Sequence, residues 1–232
     1  MLDKRKHRLH LIRILNYIYK NTKLGSTLGF KGGTAGYLFY GLPRFSTDLD
    51  FDIINGSANI QKIIDTLKIY VSKEYKILDQ YDKRFTILWE LSYEKYANNI
   101  KIEISKRNSE FYKYRNENLY GNNVKVVKVG HLIVQKMIAL RNRSTLANRD
   151  IYDVNYFLKS KFVTDIDYDV LEKFTGKDKI DFLNELKEYL IGNKPKNILD
   201  GLGEVVDSKE KDWIRSSLFD ETLELLQMLV DT

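Results

Sequence analysis

The chain has 232 residues, of which 43% are hydrophobic and 12% aromatic, with only two prolines. This composition predicts an ordered globular protein with a sizeable core, and it excludes a low-complexity or disordered chain. Because the chain contains no cysteine, it excludes disulfides, thiolate zinc sites and cysteine nucleophiles, and three scattered histidines argue against a histidine-based metal site.

The net charge of +6 is distributed unevenly along the chain. Residues 200–232 contain nine acidic and three basic residues, which leaves +12 on residues 1–199. A basic body of this kind suits a triphosphate or a nucleic-acid backbone. Abundant lysine, asparagine, isoleucine and tyrosine are also expected from an AT-rich genome, so charge alone leaves both interpretations open.

The N-terminal segment has the apolar spacing of a helix that ends before Gly25. Its apolar stretch, Leu9 to Tyr19, is interrupted by polar residues, so it is neither a signal-peptide core nor long enough to span a membrane. We therefore expect a cytoplasmic protein without a membrane segment.

Strands and helices then alternate through the first half of the chain. The pattern predicts strands at Thr27–Lys31, Asp48–Ile54, Arg84–Tyr93, Ile100–Lys106 and Val124–Val129, with helices at Ala35–Tyr40 and Ile60–Tyr75. From His131 onward the pattern is nearly all helical. We predict an α+β (mixed α/β) fold, with a mixed sheet flanked by helices in a catalytic core of residues 1–130 and a helical C-terminal lobe in residues 131–232.

Asp48 and Asp50 form the first candidate site. They are two residues apart on a predicted strand, so their side chains point to the same side, while Leu49 and Phe51 point into the core. Neighbouring carboxylates repel each other unless a cation lies between them, and Mg²⁺ binds through one or two carboxylates and leaves its other positions to phosphates and water. Asp52 continues the same face as a rival ligand, and a solvated edge strand would also place acids outward.

A Gly-Gly-Thr turn precedes this strand. Gly32 and Gly33 let backbone N–H groups approach an anion closely, and the N-terminus of the helix predicted after them favours phosphate. Thr34 is expected to cap that helix. The sequence therefore predicts a triphosphate at residues 32–34, beside a metal at Asp48 and Asp50.

Glu103 and Lys136 are two further candidates for the site, because of the residues that surround them in the sequence. Glu103 lies on the polar face of Ile100–Lys106. If that strand lies beside the strand of Asp48, Glu103 could deprotonate an attacking hydroxyl, although an exposed alternating strand would look identical. Lys136 lies on an apolar helix face, where an ammonium either meets an anion or extends into solvent.

The segment from Lys31 to Phe51 resembles the first motif of the AbiEii/AbiGii toxin family of nucleotidyltransferase-like proteins, which reads approximately KGGTA, a short helix, then RFS-x-D-x-D-F. A later segment, QKMIALRNRSTLANRDIYDV, is similar to the family pattern K-x-x-A-L-x-x-R, a spacer, then R-D-x-x-D. Two matches in the expected order are far more specific than either alone.

The resemblance implies a polymerase-beta-type nucleotidyltransferase that transfers NMP from an NTP with the help of Mg²⁺ (or Mn²⁺). Asp48 and Asp50 would bind the metal, Lys136 would contact phosphates, and Asp150 would act as base or orienting group, so the helical lobe would contribute to the site. Asp153, one turn later, is expected either at the helix surface or behind the site, where it would support the residues that touch the nucleotide. The implied nucleotide-binding residues are Gly32, Gly33, Thr34, Arg44, Ser46 and Lys136.

By the same resemblance, the protein would be the toxin of a type IV-like toxin–antitoxin or phage-defence pair. Its partner would be an antitoxin protein, and its acceptor would be tRNA or another essential RNA. Two alternatives remain open at this point. The acceptor could be a protein or a small molecule such as an aminoglycoside, or the protein could be a nucleotide-binding regulator without turnover. The sequence does not predict which NTP is used or the oligomeric state.

Overall fold

A computed structural model describes residues 2–55, 59–95, 97–107 and 109–232 of the chain. The chain divides into two compact units. The first consists of Met1–Gly41 and Phe45–Val127, and the second of Leu42–Arg44 and Lys128–Thr232. The division falls after Val127, and the short Leu42–Arg44 segment belongs with the C-terminal part of the chain.

In the first unit, seven strands of the described residues form one sheet with the order β3-β4-β5-β2-β1-β7-β6. The strands are β1 Leu28–Lys31, β2 Leu49–Ile53, β3 Lys76–Asp82, β4 Thr86–Ser92, β5 Ile100–Ser105, β6 Tyr114–Leu119 and β7 Asn122–Val127. β2 pairs antiparallel with β1 and parallel with β5, and β1 pairs parallel with β7. The predicted fold class, with its mixed sheet, is therefore confirmed.

Alternation of side chains along β2 and β5 separates a core face from a polar face. Leu49 and Phe51 of β2 are completely buried, and they lie beside the equally buried Ile102 and Ile104 of β5. Because successive side chains of a strand point to opposite faces, Asp50 lies on the other face of β2. The core packing of the sheet thus determines the side on which this carboxylate is presented.

Four helices belong to the first unit within the described residues: α1 Lys4–Lys20, α2 Thr22–Gly25, α3 Gly32–Phe39 and α4 Ile60–Glu74. α1 begins after Asp3, whose carboxylate accepts hydrogen bonds from two backbone N–H groups, and it buries a leucine–isoleucine face. α3 begins at Gly32, so the prediction that Thr34 caps this helix is wrong. The left-handed backbone of Gly32, with φ +77°, turns the chain directly from β1 into α3.

The second unit is helical. Its helices are α5 Val129–Asn142, α6 Asn148–Lys159, α7 Tyr168–Thr175, α8 Lys179–Gly192, α9 Lys211–Ser216 and α10 Leu218–Val230. α6 packs on α5 and α10, and α10 also packs on α8. Among the helices of the described residues, none combines the length and apolar character needed to cross a membrane.

Candidate functional site

The side chains of Asp48 and Asp50 lie at the start of β2, and both are half-buried. The backbone N–H of Lys101 donates to Asp48 Oδ1 at 3.4 Å. Parallel pairing of β2 with β5 puts Glu103 directly beside Asp50, on strands that are typically about 4.8 Å apart. The two strands are therefore neighbours, which was the condition for a role of Glu103, and Glu103 is exposed there. Its chemical role stays a prediction.

The Gly-Gly-Thr turn packs against this acidic strand. A Cβ at Gly32 would overlap the carboxylate of Asp50, and Gly33 is buried. The fully buried hydroxyl of Thr34 donates to the backbone carbonyl of Asp48. The turn and the two aspartates therefore form one local structure, in which the space at residue 32 accepts only glycine.

His7 fixes the segment that leads into Asp48. Its Nε2 lies 2.9 Å from the carbonyl oxygen of Thr47, and its Nδ1 lies 3.1 Å from the hydroxyl of Tyr93. Because a carbonyl oxygen can only accept, Nε2 carries the proton and Nδ1 accepts from the tyrosine. Burial lowers the pKa of His7, and this outweighs the opposing effects of the Thr47 carbonyl and the Asp48 charge. Ser46 is buried in the same segment.

Asp52, the rival metal ligand, is buried and paired with side chains of two other strands. Its side chain is only 3% exposed; Oδ1 accepts from Lys31 Nζ at 2.5 Å, and Oδ2 accepts from the Tyr114 hydroxyl at 2.6 Å. Burial raises the pKa of Tyr114, and the charge of Asp52 raises it further, so the phenol keeps the proton that it donates. Both oxygens of Asp52 are thus engaged by residues of β1 and β6.

The donor set on this strand suits a hard cation. No group of three or more acidic, histidine or cysteine side chains in the described part of the chain is arranged to hold a metal ion. Asp48 and Asp50 offer two carboxylates instead, and the carboxylate of Asp50 lies against the backbone of Gly32. Mg²⁺ commonly binds through one or two carboxylates, with phosphate and water oxygens completing its coordination. The residues therefore fit a metal–nucleotide better than a metal coordinated by protein alone.

A network of ion pairs lies in the second unit. Arg44 Nε and Nη2 donate to the two carboxylate oxygens of Asp153 at 2.5 and 2.6 Å. Lys136 Nζ lies 2.8 Å from Asp153 Oδ2 and 3.9 Å from Asp150 Oδ1. Arg143 Nε lies 2.5 Å from Asp150 Oδ2. This network brings together three residues of the predicted site, namely Arg44, Lys136 and Asp150.

Asp153 is completely buried at the centre of this network, so of the two positions expected for it the one at the helix surface is wrong. Its contacts with Arg44 and Lys136 agree with the other position, behind residues of the predicted site. Burial by itself would raise the pKa of Asp153, but the Arg44 guanidinium and the Lys136 ammonium together hold it below its ordinary value. Burial likewise disfavours the charge of Arg44, yet Asp153 raises the pKa of Arg44 above its usual range. The carboxylate can be buried because two cations compensate for its lost hydration.

The side chain of Lys136 is only 12% exposed, and its ammonium lies 2.8 Å from Asp153 Oδ2. The alternative that this lysine extends into solvent is therefore wrong. Its ammonium lies between Asp150 and Asp153, which explains how a lysine is accommodated on an otherwise apolar face of α5.

Residues 13–225, which include both sequence motifs, match the family model of the nucleotidyl transferase AbiEii toxin of type IV toxin–antitoxin systems. The chain belongs to this family. A comparison with curated proteins found no match.

Two solved structures from Helicobacter pylori resemble this AbiEii-family chain. A candidate nucleotidyltransferase is 21% identical, with 96% of this chain and 94% of that chain covered and a TM-score of 0.57. JHP933 is also 21% identical, with 100% and 94% coverage and a TM-score of 0.56. At this level of identity the likeness shows that the AbiEii-family chain has a nucleotidyltransferase-like fold.

In this AbiEii-family chain, sequence reasoning missed two contacts of the candidate residues. Arg44 and Asp153 are 109 residues apart, so no local spacing could pair them. His7 lies 40 residues before Thr47 and looks like an isolated histidine in the sequence. Both contacts depend on how distant segments pack, which a motif does not encode.

Proposed function

We propose that this protein transfers a nucleoside monophosphate from an NTP to an acceptor hydroxyl, with release of pyrophosphate. The packing of the glycine turn on the acidic strand carries the proposal, because Gly32 abuts Asp50 and the Thr34 hydroxyl holds the carbonyl of Asp48. A metal-bound triphosphate requires a phosphate-binding turn fixed beside two carboxylates.

In this proposal, Asp48 and Asp50 hold Mg²⁺ or Mn²⁺, and the bound metal supplies neutralisation of the charge on the transferring phosphate. Backbone N–H groups of residues 32–34, at the N-terminus of α3, bind phosphate oxygens together with Ser46. Thr34 contributes its backbone, because its hydroxyl is engaged by the carbonyl of Asp48. These residues orient the triphosphate for in-line attack.

We propose that Glu103 activates the hydroxyl group of the acceptor. Its side chain is exposed beside Asp50, so a carboxylate is available on the polar face of the sheet to accept the proton of an attacking hydroxyl. Asp52 is a poorer candidate for this role, because Lys31 and Tyr114 already occupy both of its oxygens.

For the second unit we propose that Lys136 neutralises phosphate charge and that Asp150 orients its ammonium. Arg44 uses two N–H groups to bind Asp153. Its proposed contribution to nucleotide binding is therefore to fix Asp153, which in turn positions Lys136.

Membership of a type IV toxin–antitoxin family implies an antitoxin as partner. We propose that transfer of NMP is the toxic activity, that it serves phage defence, and that tRNA is the acceptor. The excess positive charge of residues 1–199 supports a polyanionic acceptor.

The test is to incubate purified protein with each labelled NTP, Mg²⁺ and total cellular RNA or total protein, and to ask which fraction gains label. We expect label in RNA with the wild-type chain and none with Asp48→Asn or Asp50→Asn. Asp79→Asn, an exposed aspartate of β3 in the same sheet, is the matched control and should keep full activity. Label in the protein fraction would show that the acceptor is a protein and not an RNA. Equal labelling by all variants would overturn the assignment of Asp48 and Asp50 to the metal.

A further inference from the structure

A cleft of about 560 Å³ lies on the first unit, and its walls come from α1, α3 and the turn between β6 and β7. We call it the α1 cleft. The lining residues that matter for its chemistry are Lys4, Arg5, Arg8, Arg13, Tyr37 and Tyr120. The volume lies in the range of clefts that bind nucleotide-sized ligands.

The lining of the α1 cleft contains four cations and no carboxylate. Arg5, Arg8 and Arg13 form no ion pair with any described residue. The Nε of Arg8 is buried without a hydrogen-bond acceptor in the part of the chain that the structure describes. Since these three arginines repel one another and have no counterion among the described residues, an anionic ligand would stabilise this cleft.

The position of these cations on α1 strengthens the inference. Lys4, Arg5 and Lys6 form the first turn of the helix, which contains no acidic residue. The N-terminus is the positive end of the helix dipole, where cations are destabilising. The cap by Asp3 offsets only part of this cost. A basic first turn is therefore unfavourable for the helix and favourable for binding an anion.

Tyr120 adds an aromatic surface to the cleft. It lies in a two-residue hairpin turn with Gly121, at φ +49°, and its side chain is 64% exposed. A bulky residue is rare in this backbone conformation, and strained residues of this kind cluster at ligand-binding positions. The turn is held to α1 because Arg8 Nη2 donates to the Tyr120 hydroxyl at 3.3 Å and Asn122 Nδ2 donates to Asn16 Oδ1 at 2.9 Å.

We propose that the α1 cleft binds single-stranded nucleic acid, with the arginines and Lys4 on the phosphates and Tyr120 stacked on a base. Basic grooves with exposed aromatic rings bind single strands in this way, because every base has a face on which a ring can stack. A duplex hides those faces, and an acidic polypeptide lacks them. The proposal rests on the proposed function only in that the bound strand would belong to the acceptor of the transfer reaction. Binding of the strand itself requires neither NTP nor metal.

The test is a fluorescence anisotropy titration of a labelled, mixed-sequence single-stranded oligoribonucleotide, without NTP or Mg²⁺. Arg5→Glu combined with Arg13→Glu should weaken binding by about tenfold or more and reduce its dependence on salt. Arg5→Glu places an acid in the first turn, where it favours the helix, and Arg13 is exposed, so this variant should fold like the wild type. The control is Lys68→Glu combined with Lys73→Glu, which makes the same charge change on exposed positions of α4 and should leave binding nearly unchanged.

A second variant separates stacking from charge and from folding. Tyr120→Asn suits the two-residue turn better than tyrosine does, and this offsets the loss of the hydrogen bond from Arg8, so the melting temperature should stay close to that of the wild type while binding weakens by about fivefold or more. Asp50→Asn should bind like the wild type, which distinguishes failure of this proposal from failure of the transfer reaction. The assignment would be overturned if both charge-reversal pairs weakened binding equally, or if Tyr120→Asn bound like the wild type. It would also be overturned if duplex RNA or polyglutamate competed as strongly as the single strand.

Discussion

The carboxylate of Asp50 lies so close to the Cα of Gly32 that any side chain at residue 32 would overlap it. The two residues belong to different parts of the motif, the glycine turn and the acidic strand, and strand pairing brings them together, since Lys31 pairs with Asp50. The glycine therefore has two functions. It provides the left-handed backbone that starts α3, and it leaves room for a carboxylate beside the helix N-terminus.

Gly32→Ala should disrupt both functions. At φ +77° an alanine is strained, and its Cβ would displace Asp50, so we expect a loss of about 2 kcal/mol or more in the free energy of unfolding, together with loss of NTP binding. Urea unfolding and calorimetric titration with NTP and Mg²⁺ measure the two effects. Gly192→Ala is the control, because a Cβ at that helical position meets nothing within 4 Å and should leave stability equal or slightly higher. Wild-type NTP affinity in Gly32→Ala would contradict the prediction.

Removal of the buried negative charge at Asp153 should destabilise the second unit strongly. Asp153→Asn leaves the buried Arg44 and the largely buried Lys136 without their shared carboxylate, which typically costs about 3–5 kcal/mol. Chemical denaturation of the variant measures the loss. Asp212→Asn also removes an ion pair with an arginine, but that carboxylate is 93% exposed, so its denaturation midpoint should match the wild type. Equal midpoints for both variants would show that the buried network contributes little.

The effect of Lys136→Met tests whether this ammonium does more than pair with acids. Asp153 retains Arg44 and Asp150 retains Arg143 in this variant, so the fold should survive with a modest loss of stability. If Lys136 acts on phosphate, the turnover number should fall by about 100-fold, the effect typical of removing one electrostatic stabiliser. Turnover at saturating NTP is the measurement, and an unchanged value would leave Lys136 with a structural role only.

The pKa of His7 predicts how stability depends on pH. In the unfolded chain a histidine takes up its proton near pH 6.5, whereas burial lowers the pKa of His7 in the folded protein. Between these two values the unfolded state binds more protons, so the free energy of unfolding falls as pH drops below about 6.5, by at most about 1.4 kcal/mol per pH unit for this one group. His7→Gln should show a flatter profile in urea denaturation between pH 7 and 5. The same slope in both proteins would contradict the assignment of a neutral, buried His7.

The central strands of the sheet could be predicted from sequence, whereas its edges could not. β2 and β5 alternate between buried isoleucine, leucine or phenylalanine and polar residues, and that period is visible in the sequence. β3 and β6 are the two edge strands, and most of their side chains are exposed or half-exposed on both faces, so they lack a hydrophobic period. Both were absent from the predicted elements for this reason.

The candidate site also has one part that could be predicted from the sequence and one part that could not. Residues 32–34 and the two aspartates lie within a short stretch, so their spacing already predicted that they act together. The sequence left Asp153 open between the helix surface and a supporting position, because its burial depends on Arg44, which lies on a segment far away in the sequence. Local patterns reveal which residues can meet along one strand or helix, but compensation of a buried charge is a property of the packed protein.

Toxicity should depend on the chemistry of Asp50 rather than on the presence of the folded chain. Induction of the wild-type chain in a bacterial host without antitoxin should arrest growth, because each molecule of enzyme can modify many acceptors. Asp50→Asn keeps the size of the side chain against Gly32 but removes one negative metal ligand, so cells that express it should grow normally. Asp79→Asn should arrest growth like the wild type, since that aspartate lies on the exposed edge strand β3. Immunoblots establish that all three chains accumulate equally. Equal arrest by Asp50→Asn would mean that the protein harms the cell by binding a partner, and nucleotide transfer would then not be the toxic activity.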